Sequence, residues 1–258
     1  MSKKLVLLAG PTASGKSNLA IKLAKKLNGE IINADSMQIF KEFTVLSSRP
    51  TLNQTKKVKH HLYGIITVKK HFSAGEWLKK VKIKINTCVK KKKIPIIVGG
   101  TGLYFNTITK GISKIPNIDL KTRNKVRNLY KKLGIKKFYN ALIKLDPKSK
   151  GRILPTDSQR VQRAYEVKLK TKKSLYEWFE KTKSDFLEFD IRKIFIEIPR
   201  DILLNKISMR TEQMFKKKCI NEVKKFNNLK VNKSFSANKL IGVQEINDYL
   251  RGLTTMEQ

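Results

Sequence analysis

Cysteine is scarce in this chain of 258 residues, in which Cys88 and Cys219 are the only two. They lie far apart and lack the spacing of metal ligands, so the sequence excludes a disulfide framework and favours a reducing compartment. Long hydrophobic runs are also missing, because no stretch approaches the roughly 18 apolar residues that cross a bilayer. The apolar run Leu5–Ala9 is shorter than the core of a signal peptide. We therefore expect a cytoplasmic protein without a membrane partner.

Acidic residues are also few, with 20 Asp and Glu against 57 Lys and Arg, which leaves a formal net charge of +37. Such a surplus indicates a polyanionic partner, either a nucleic acid or an acidic membrane surface. The alternative is solvated charge spread over every surface, because the lysines are scattered along the chain rather than confined to one tail. The hydrophobic fraction of 40% is enough for a sizeable core and excludes wholesale disorder.

The hydrophobic pattern predicts an α/β fold with a parallel sheet covered by helices on both faces. Short apolar runs predict strands at Lys4–Ala9, Glu30–Asp35, Ile94–Val98 and Arg192–Ile198, and helical spacing predicts helices at Ser17–Leu27 and Ala74–Lys92. Residues 111–190 differ, because long Lys-rich amphipathic stretches such as Asp119–Leu133 and Ser158–Lys170 replace clear strands. We therefore expect a core formed by residues 1–110 and 191–258, with an all-helical insert at 111–190.

The segment Gly10–Ser17 (GPTASGKS) fits the phosphate-loop pattern G-x-x-x-x-G-K-[ST] between a predicted strand and a predicted helix. Glycine lets the backbone curl so that successive N–H groups and the positive end of the helix face a phosphate. Lys16 would neutralise charge on the terminal phosphate, and the Ser17 hydroxyl is a ligand for Mg²⁺. The segment therefore predicts a site for a diphosphate or triphosphate, formed by Gly10, Pro11, Thr12, Ala13, Ser14, Gly15, Lys16 and Ser17.

The acid that an ordinary P-loop kinase needs for Mg²⁺ is absent from the end of the strand Ile94–Val98, which runs into Gly-Gly-Thr-Gly. The acid best placed at a strand end is Asp35, as an acid near Mg²⁺ or as a general base. Because ligands bind beyond the carboxyl ends of parallel strands, Lys16, Asp35 and Thr101 are expected to converge on one crevice. The alternative is that Asp35 and Thr101 only cap helices.

Eight segments occur in this order along the chain: GPTASGKS (10–17), ADSMQIF (34–40), HHL (60–62), FSAGEW (72–77), VGGTGLYF (98–105), DPKSKGRILPTDSQRVQRAYEV (146–167), RTEQMF (210–215) and IGVQEINDYLRG (241–252). Together they resemble the tRNA dimethylallyltransferase family through nearly the whole chain. The resemblance implies a P-loop NTPase-like core with an inserted helical tRNA-binding domain. It implies transfer of a dimethylallyl group from dimethylallyl diphosphate to N6 of adenosine 37, in tRNAs that read codons beginning with U. Mg²⁺ as cofactor, the tRNA anticodon stem-loop as partner and a monomer are implied as well.

The resemblance also implies roles for matching residues. Asp35 would be the base on the N6 amine, Thr101 would lie at the reacting centre, and Arg210 would join the phosphate loop at the donor's pyrophosphate. The implied tRNA contacts are Asp35, Ser36, Met37, Gln38, Thr101, Arg123, Gln159, Arg160, Val161, Gln162 and Arg163. From helical spacing alone, Gln159, Gln162, Arg163 and Glu166 share one face, which is also consistent with a solvated face carrying an Arg163–Glu166 pair.

Some residues depart from the family pattern or stay open. Phe40 stands where the family usually has Tyr, and Arg49 lies in a segment (VLSSRP, 45–50) that replaces the usual GTAKP. No metal is assigned to the pair His60–His61, because no third ligand has suitable spacing. Two further functions compete with prenyl transfer: a P-loop kinase of a small molecule, and a non-catalytic RNA-binding protein that keeps its phosphate loop.

Overall fold

A computed structural model describes residues 3–255 of the protein. Its sheet contains five parallel strands. The strands are β1 (Lys3–Ala9), β2 (Gly29–Asn33), β3 (His60–His61), β4 (Ile94–Gly99) and β5 (Phe189–Phe195). Their order across the sheet is β3-β2-β4-β1-β5, and every neighbouring pair is parallel. The expected α/β class with a parallel sheet is therefore confirmed.

Helices connect these strands and follow them along the chain. They are α1 (Lys16–Lys26), α2 (Leu52–Lys57), α3 (Ala74–Lys90), α4 (Gly102–Thr109), α5 (Leu120–Leu145), α6 (Ser158–Thr171), α7 (Leu175–Glu180), α8 (Arg200–Lys216), α9 (Cys219–Asn228) and α10 (Val243–Leu250). None of the helices among residues 3–255 combines the length and apolarity that a bilayer crossing requires.

Both faces of the sheet are buried, which explains why its central strands are almost entirely apolar. Successive side chains of a strand point to opposite faces. Leu5 and Leu7 of β1 accordingly belong to one apolar cluster, with residues of α3, α9 and α10. Val6 and Leu8 belong to a second cluster, with residues of α1. The sheet is thus covered on both faces, as the sequence predicts.

The strand boundaries differ from the expected ones most at the end of β2 and at both ends of β5, which ends at Phe195 rather than at Ile198. β2 ends at Asn33, two residues before Asp35, because the Asn33 side chain takes over the backbone hydrogen bonds there: its Oδ1 accepts the Asp35 N–H at 2.8 Å. β5 begins at Phe189 rather than at Arg192, because its register with β1 pairs Lys3 with Phe189 and Ala9 with Phe195. β5 is an edge strand with little burial, so hydrophobicity marks its start poorly.

Contacts divide the chain into a core unit, up to Ile108 and from Phe186 onward, and an insert unit, Thr109–Asp185. Relative to the expected insert at 111–190, residues 109–110 fall in the insert and 186–190 fall in the core. The reason at the second boundary is that Phe186 is 3% exposed within the core's apolar cluster and β5 starts three residues later.

The regular secondary structure of the insert unit is entirely helical, and no strand lies in residues 109–185. Helices α5, α6 and α7 surround an apolar cluster of their own, which contains Phe138, Leu142 and Val161. Helix α5 is kinked at Gly134, whose φ of +68° is readily available only to glycine. The insert thus has the independent core that a separate structural unit needs.

Candidate active site

The phosphate loop joins β1 to α1 and has the curled backbone that its sequence predicts. Ala13 and Gly15 have φ values of +61° and +84°, in the left-handed region, which turns the chain into the first turn of α1. Gly10 is needed for space, because a Cβ there would lie 3.0 Å from Ser14 Oγ and 3.1 Å from Ile196 Cβ. The Ser14 Oγ is buried and has no hydrogen-bond partner. A donor within this loop is therefore free to bind an anion.

Lys16 lies half-buried at the start of α1. Its Nζ donates hydrogen bonds to the carbonyl oxygens of Gly10, at 2.8 Å, and Pro11, at 2.5 Å. Burial lowers the pKa of Lys16, the Asp35 carboxylate opposes this shift, and Arg210 adds to it. The ammonium group, the carboxylate and the guanidinium group are therefore close enough to influence one another.

Asp35 occupies the turn that follows β2. Its Oδ1 accepts the N–H groups of Met37, at 2.8 Å, and Gln38, at 3.3 Å. The side chain therefore stabilises a turn and does not cap a helix. Oδ2 has no hydrogen-bond partner among residues 3–255. Asn33, which is fully buried, fixes the turn through bonds with the Asp35 N–H and C=O. One oxygen thus shapes the loop, and the other remains available as a base.

Thr101 lies beside this turn because β4 passes very close to the end of β2. A Cβ on Gly99 would lie 2.1 Å from the Ala34 carbonyl oxygen, so only glycine fits there. The Thr101 N–H donates to the same carbonyl oxygen at 3.2 Å, and Thr101 Oγ1 accepts the Ser36 N–H at 2.9 Å. The hydroxyl therefore supports the loop after Asp35 and does not cap α4.

A cavity of about 890 Å³ opens at this end of the sheet in the core unit. Its walls include most of the predicted donor-binding residues together with Asp35, Gln38 and residues of α8. Five basic residues line it, namely Lys16, Arg49, Lys206, Arg210 and Lys217, whereas Asp35 is its one acidic lining residue. The Arg210 Nε is buried without a partner. The cavity therefore suits a compact polyanion beside a single carboxylate.

The predicted site residues of the core unit all lie in this region, but only some of them line the cavity. Thr12, Ala13, Ser14, Gly15, Lys16, Ser17, Asp35, Gln38 and Arg210 line it. Gly10 and Pro11 contribute the carbonyl groups that bind Lys16, and Ser36, Met37 and Thr101 form the half-buried loop next to Asp35. Lys16 and Asp35 both line the cavity, whereas Thr101 does not line it and instead accepts a hydrogen bond from the Ser36 N–H.

The predicted residues of α6 lie in the insert unit and differ in exposure. Gln159 and Arg160 are exposed, and Gln162 Nε2 donates to the Ser158 carbonyl oxygen at 3.2 Å. Arg163 forms an ion pair with the buried Glu166 at 3.4 Å, which is the intrahelical pairing that spacing left open. Val161 is fully buried in the insert's apolar cluster, so its side chain offers no surface contact.

Arg123, the remaining predicted tRNA contact, lies on α5 of the insert and is half-buried. Its Nε is buried and has no hydrogen-bond partner. An unpartnered buried guanidinium nitrogen is costly, so a ligand that accepts a hydrogen bond would stabilise it.

Two groups of polar residues support the core, and apart from His61 their members were not singled out from the sequence. Glu30 Oε2 lies 2.6 Å from His61 Nε2 and 3.6 Å from Cys88 Sγ, and all three side chains are buried. The second group is Glu222 of α9 with the backbone of Thr44, Val45 and Leu46. The His pair marked the first site in the sequence, but its partners come from distant elements.

The donor set of the cavity fits Mg²⁺ only in a limited way. Ser17 is exposed at the cavity wall and offers a hydroxyl oxygen, which is a hard ligand of the kind that Mg²⁺ prefers. With Asp35 as the one acidic lining residue, the protein does not enclose the ion in a cage. Such a site suits an ion held mainly by substrate phosphates and water.

Comparison with known proteins gives one consistent result. The IPP transferase family model matches residues 38–258. A tRNA dimethylallyltransferase of Pelagibacter ubique is 51% identical over 255 residues, covering 99% of this chain and 82% of the relative. One from Rickettsia massiliae is 37% identical, covering 99% and 71%.

Two solved structures are similar in fold. A tRNA isopentenylpyrophosphate transferase of Bacillus halodurans matches with a TM-score of 0.66 and 30% identity, covering 99% of this chain and 80% of that one. A eukaryotic dimethylallyltransferase acting on tRNA matches with a TM-score of 0.84 and 27% identity, covering 97% and 64%. Because the family model spans most of the sequence and the relatives match along nearly all of it, the chain belongs to the IPP transferase family.

Proposed function

We propose that this enzyme transfers the dimethylallyl group of dimethylallyl diphosphate to N6 of adenosine 37 in tRNA, releasing pyrophosphate. The observation that carries the proposal is the cavity in which the phosphate loop, Arg210 and the free oxygen of Asp35 meet. The names of the relatives support tRNA as the acceptor. The finer part of the proposal is that the acceptors are tRNAs reading codons that begin with U.

At the donor end, the leaving group is an anion, and the cavity stabilises anions. The amide groups of the phosphate loop, the Lys16 ammonium group and the Arg210 guanidinium group would bind the diphosphate. Negative charge grows on the departing oxygen as the allylic carbon separates from it. Because the backbone of the phosphate loop and the Lys16 ammonium group are held in place by hydrogen bonds before reaction, they stabilise that charge with little reorganisation.

At the acceptor end, the N6 amine is a weak nucleophile, because its lone pair is delocalised into the purine ring. In the proposed step the N6 nitrogen forms a bond to C1 of the dimethylallyl group while the bond from C1 to the diphosphate oxygen breaks. The amine loses one proton to Oδ2 of Asp35, the oxygen without a partner. Thr101 acts by holding the Ser36 N–H beside this carboxylate.

Ser17 is the residue that would hold Mg²⁺ against the diphosphate. When bound, the ion supplies positive charge that neutralises the leaving group. The remaining contacts to the diphosphate come from this chain's own amide and cationic groups.

The insert supplies the proposed grip on the anticodon stem-loop. Gln159 and Arg160 are exposed on α6, where they can reach RNA phosphates or base edges. Extruding the target adenine from its stack costs a few kcal/mol, which RNA contacts must offset. The net charge of +37 favours association with a polyanion and makes binding depend on salt.

The proposal also includes a cytoplasmic location and a monomeric enzyme. The free, buried cysteines Cys88 and Cys219 support a reducing compartment.

One assay tests the proposed function against the two competing ones. The purified full chain is incubated with Mg²⁺, an unmodified anticodon stem-loop with adenosines at positions 36 to 38, and either labelled dimethylallyl diphosphate or ATP. We expect label to enter the RNA, and a stem-loop with guanosine at position 37 is the control. Phosphate release from ATP without prenyl transfer would favour the kinase, and RNA binding without chemistry would favour the binding protein.

A further inference from the structure

One wall of the cavity has no assigned role. It is the loop Phe43–Pro50, of which Thr44, Val45, Ser48, Arg49 and Pro50 face the cavity. We call it the wall loop. Arg49 is its one basic residue, and it is half-buried. An arginine on the wall of a cavity that already collects cations is a candidate ligand for an anion.

The guanidinium group of Arg49 is held at one nitrogen. Its NH1 donates to the Phe40 carbonyl oxygen at 3.1 Å, and its backbone N–H donates to the Thr44 carbonyl oxygen at 3.2 Å. It also lies against Gly64, where an added Cβ would come within 1.7 Å of NH1. Gly64 has a φ of +57°, so both its backbone and its missing side chain suit this contact.

The charge of Arg49 is not neutralised by a contact. No carboxylate oxygen lies within 4.0 Å of its guanidinium nitrogens among the residues that the structure describes. Glu42 and Glu222 act on it only through space, opposing the pKa decrease that burial causes. Glu42 is engaged by Thr67 Oγ1 at 2.6 Å and by the Val68 N–H at 3.1 Å. Nε and NH2 therefore remain as donors for a ligand.

Glu222 of α9 fixes the other end of the wall loop. Its Oε1 accepts the Thr44 N–H at 2.6 Å, the Thr44 hydroxyl at 2.9 Å and the Val45 N–H at 2.9 Å. Its Oε2 accepts the Leu46 N–H at 2.9 Å. Four hydrogen bonds to one carboxylate are strong because the acceptor is charged. On the opposite side, Gln38 Nε2 donates to the carbonyl oxygens of Ser47 and Ser48.

From this geometry we propose that Arg49 is a further anion-binding residue of the cavity, and that Glu222 is a positioning residue that holds the wall loop so that Arg49 can bind. The ligand is a phosphate oxygen, which the planar guanidinium fork binds with two parallel hydrogen bonds. The inference deepens the proposed function, on which it rests for the source of the phosphate. That source is either the diphosphate of the prenyl donor or a backbone phosphate of the RNA.

Binding measurements separate these sources. The full chain is compared with Arg49→Gln, with Arg49→Lys and with Lys41→Gln, a control that removes one exposed charge from a residue outside the cavity lining. The ligands are inorganic pyrophosphate, measured by calorimetry, and the anticodon stem-loop, measured at low and physiological salt. We expect Arg49→Gln to weaken one of the two ligands by about tenfold and Arg49→Lys to weaken it less.

Each outcome decides a point. Loss confined to pyrophosphate assigns Arg49 to the donor, and loss confined to the stem-loop assigns it to RNA. Equal affinities of Arg49→Gln and Lys41→Gln for both ligands would overturn the inference. Because pyrophosphate binding needs no transfer, this result is independent of whether wild type prenylates RNA, so a failure of the proposed function is seen separately.

The role of Glu222 is tested with Glu222→Gln, which keeps the shape but removes the charge and one acceptor oxygen. For the ligand that Arg49 binds, we expect about a tenfold rise in KM or Kd with kcat nearly unchanged. Adding Arg49→Gln in this background should cost little more, because the two residues act together. Thr44→Val, which removes one of the four bonds, serves if Glu222→Gln fails to fold. Unchanged ligand affinity in a destabilised variant would mean a purely structural role.

Discussion

The core cavity and helix α6 of the insert hold their predicted binding residues in different ways. In the cavity, Asp35 and Lys16 are tied to backbone groups of strand ends and the phosphate loop, so their atoms have fixed places. On α6, Gln159 and Arg160 project from an exposed helix surface, where Arg160 forms a surface ion pair with Asp157 at 3.3 Å. The difference suggests that the core residues set the chemistry and the insert residues set the grip. Substitution of Asp35 should therefore change kcat, whereas substitution of an exposed residue of α6 should change RNA affinity.

The largest expected effect is that of Asp35→Asn. The asparagine oxygen still accepts the N–H groups of Met37 and Gln38, so the turn is kept, but the side chain no longer takes up a proton. We expect kcat to fall by about 10²-fold or more. Stem-loop affinity should stay within about twofold of wild type. Single-turnover transfer at the wild-type rate would show that Asp35 is not the base and would break the comparison.

Gly99→Ala should follow in size. Its Cβ would lie 2.1 Å from the Ala34 carbonyl oxygen, so the end of β4 must move, and Thr101 with it. We expect a loss of roughly 1–3 kcal/mol in the free energy of unfolding, measured with denaturant, and a lower kcat. Gly100→Ala is the matched control, because its nearest contact would be 3.9 Å away. Equal effects of the two variants would contradict the tight approach at Gly99.

Arg160→Ala tests the insert side of the comparison. Its guanidinium is exposed beside Asp157, at 3.3 Å, and removing it should weaken stem-loop binding by about three- to tenfold. The slope of log affinity against log salt should decrease by about 1, while kcat at saturating RNA stays unchanged. Lys132→Ala, an exposed charge on α5 outside the predicted contacts, is the control. A fall in kcat with RNA affinity intact would contradict the division of roles.

The smallest expected effect concerns acid stability and involves neither site. Burial raises the pKa of Glu30, but the hydrogen bonds from His61 and Cys88 and the charges of His61 and Lys59 outweigh this effect, so the pKa is lowered from 4.5. Because this pKa is lower in the folded state, the ionised Glu30 stabilises the fold above pH 4.5. This stabilisation is lost as the pH falls through the folded-state pKa. The difference in unfolding free energy between wild type and Glu30→Gln should therefore shrink on acidification. A difference that grows on acidification would contradict the lowered pKa of Glu30.

The sequence predicted the features that depend on neighbouring residues. The phosphate loop and the β1 and β4 strands follow from local patterns, and so does an acid near the end of β2, although Asp35 lies in the turn after that strand. Contacts between distant segments could not be predicted, such as the bond from Thr44 to Glu222, which are 178 residues apart. The start of β5 depends on its register with β1, which hydrophobicity does not reveal.

The same limit applied to the candidate site, because local patterns do not reveal what a side chain contacts in the folded chain. The family resemblance implied Val161 as an RNA contact, but the side chain of Val161 is buried in the insert's apolar cluster. Asn33 was missed because its importance comes from bonds to Asp35 and Leu62, not from any motif. The roles of the cavity residues and of the α6 residues toward ligands stay predictions.

The most direct test of the central claim is a crystal structure of the enzyme with an unreactive analogue of dimethylallyl diphosphate. The account predicts the diphosphate within the loop Gly10–Gly15, against Lys16 and Arg210, with its first allylic carbon facing Oδ2 of Asp35. A diphosphate bound away from that loop, or an allylic carbon turned away from Asp35, would contradict it.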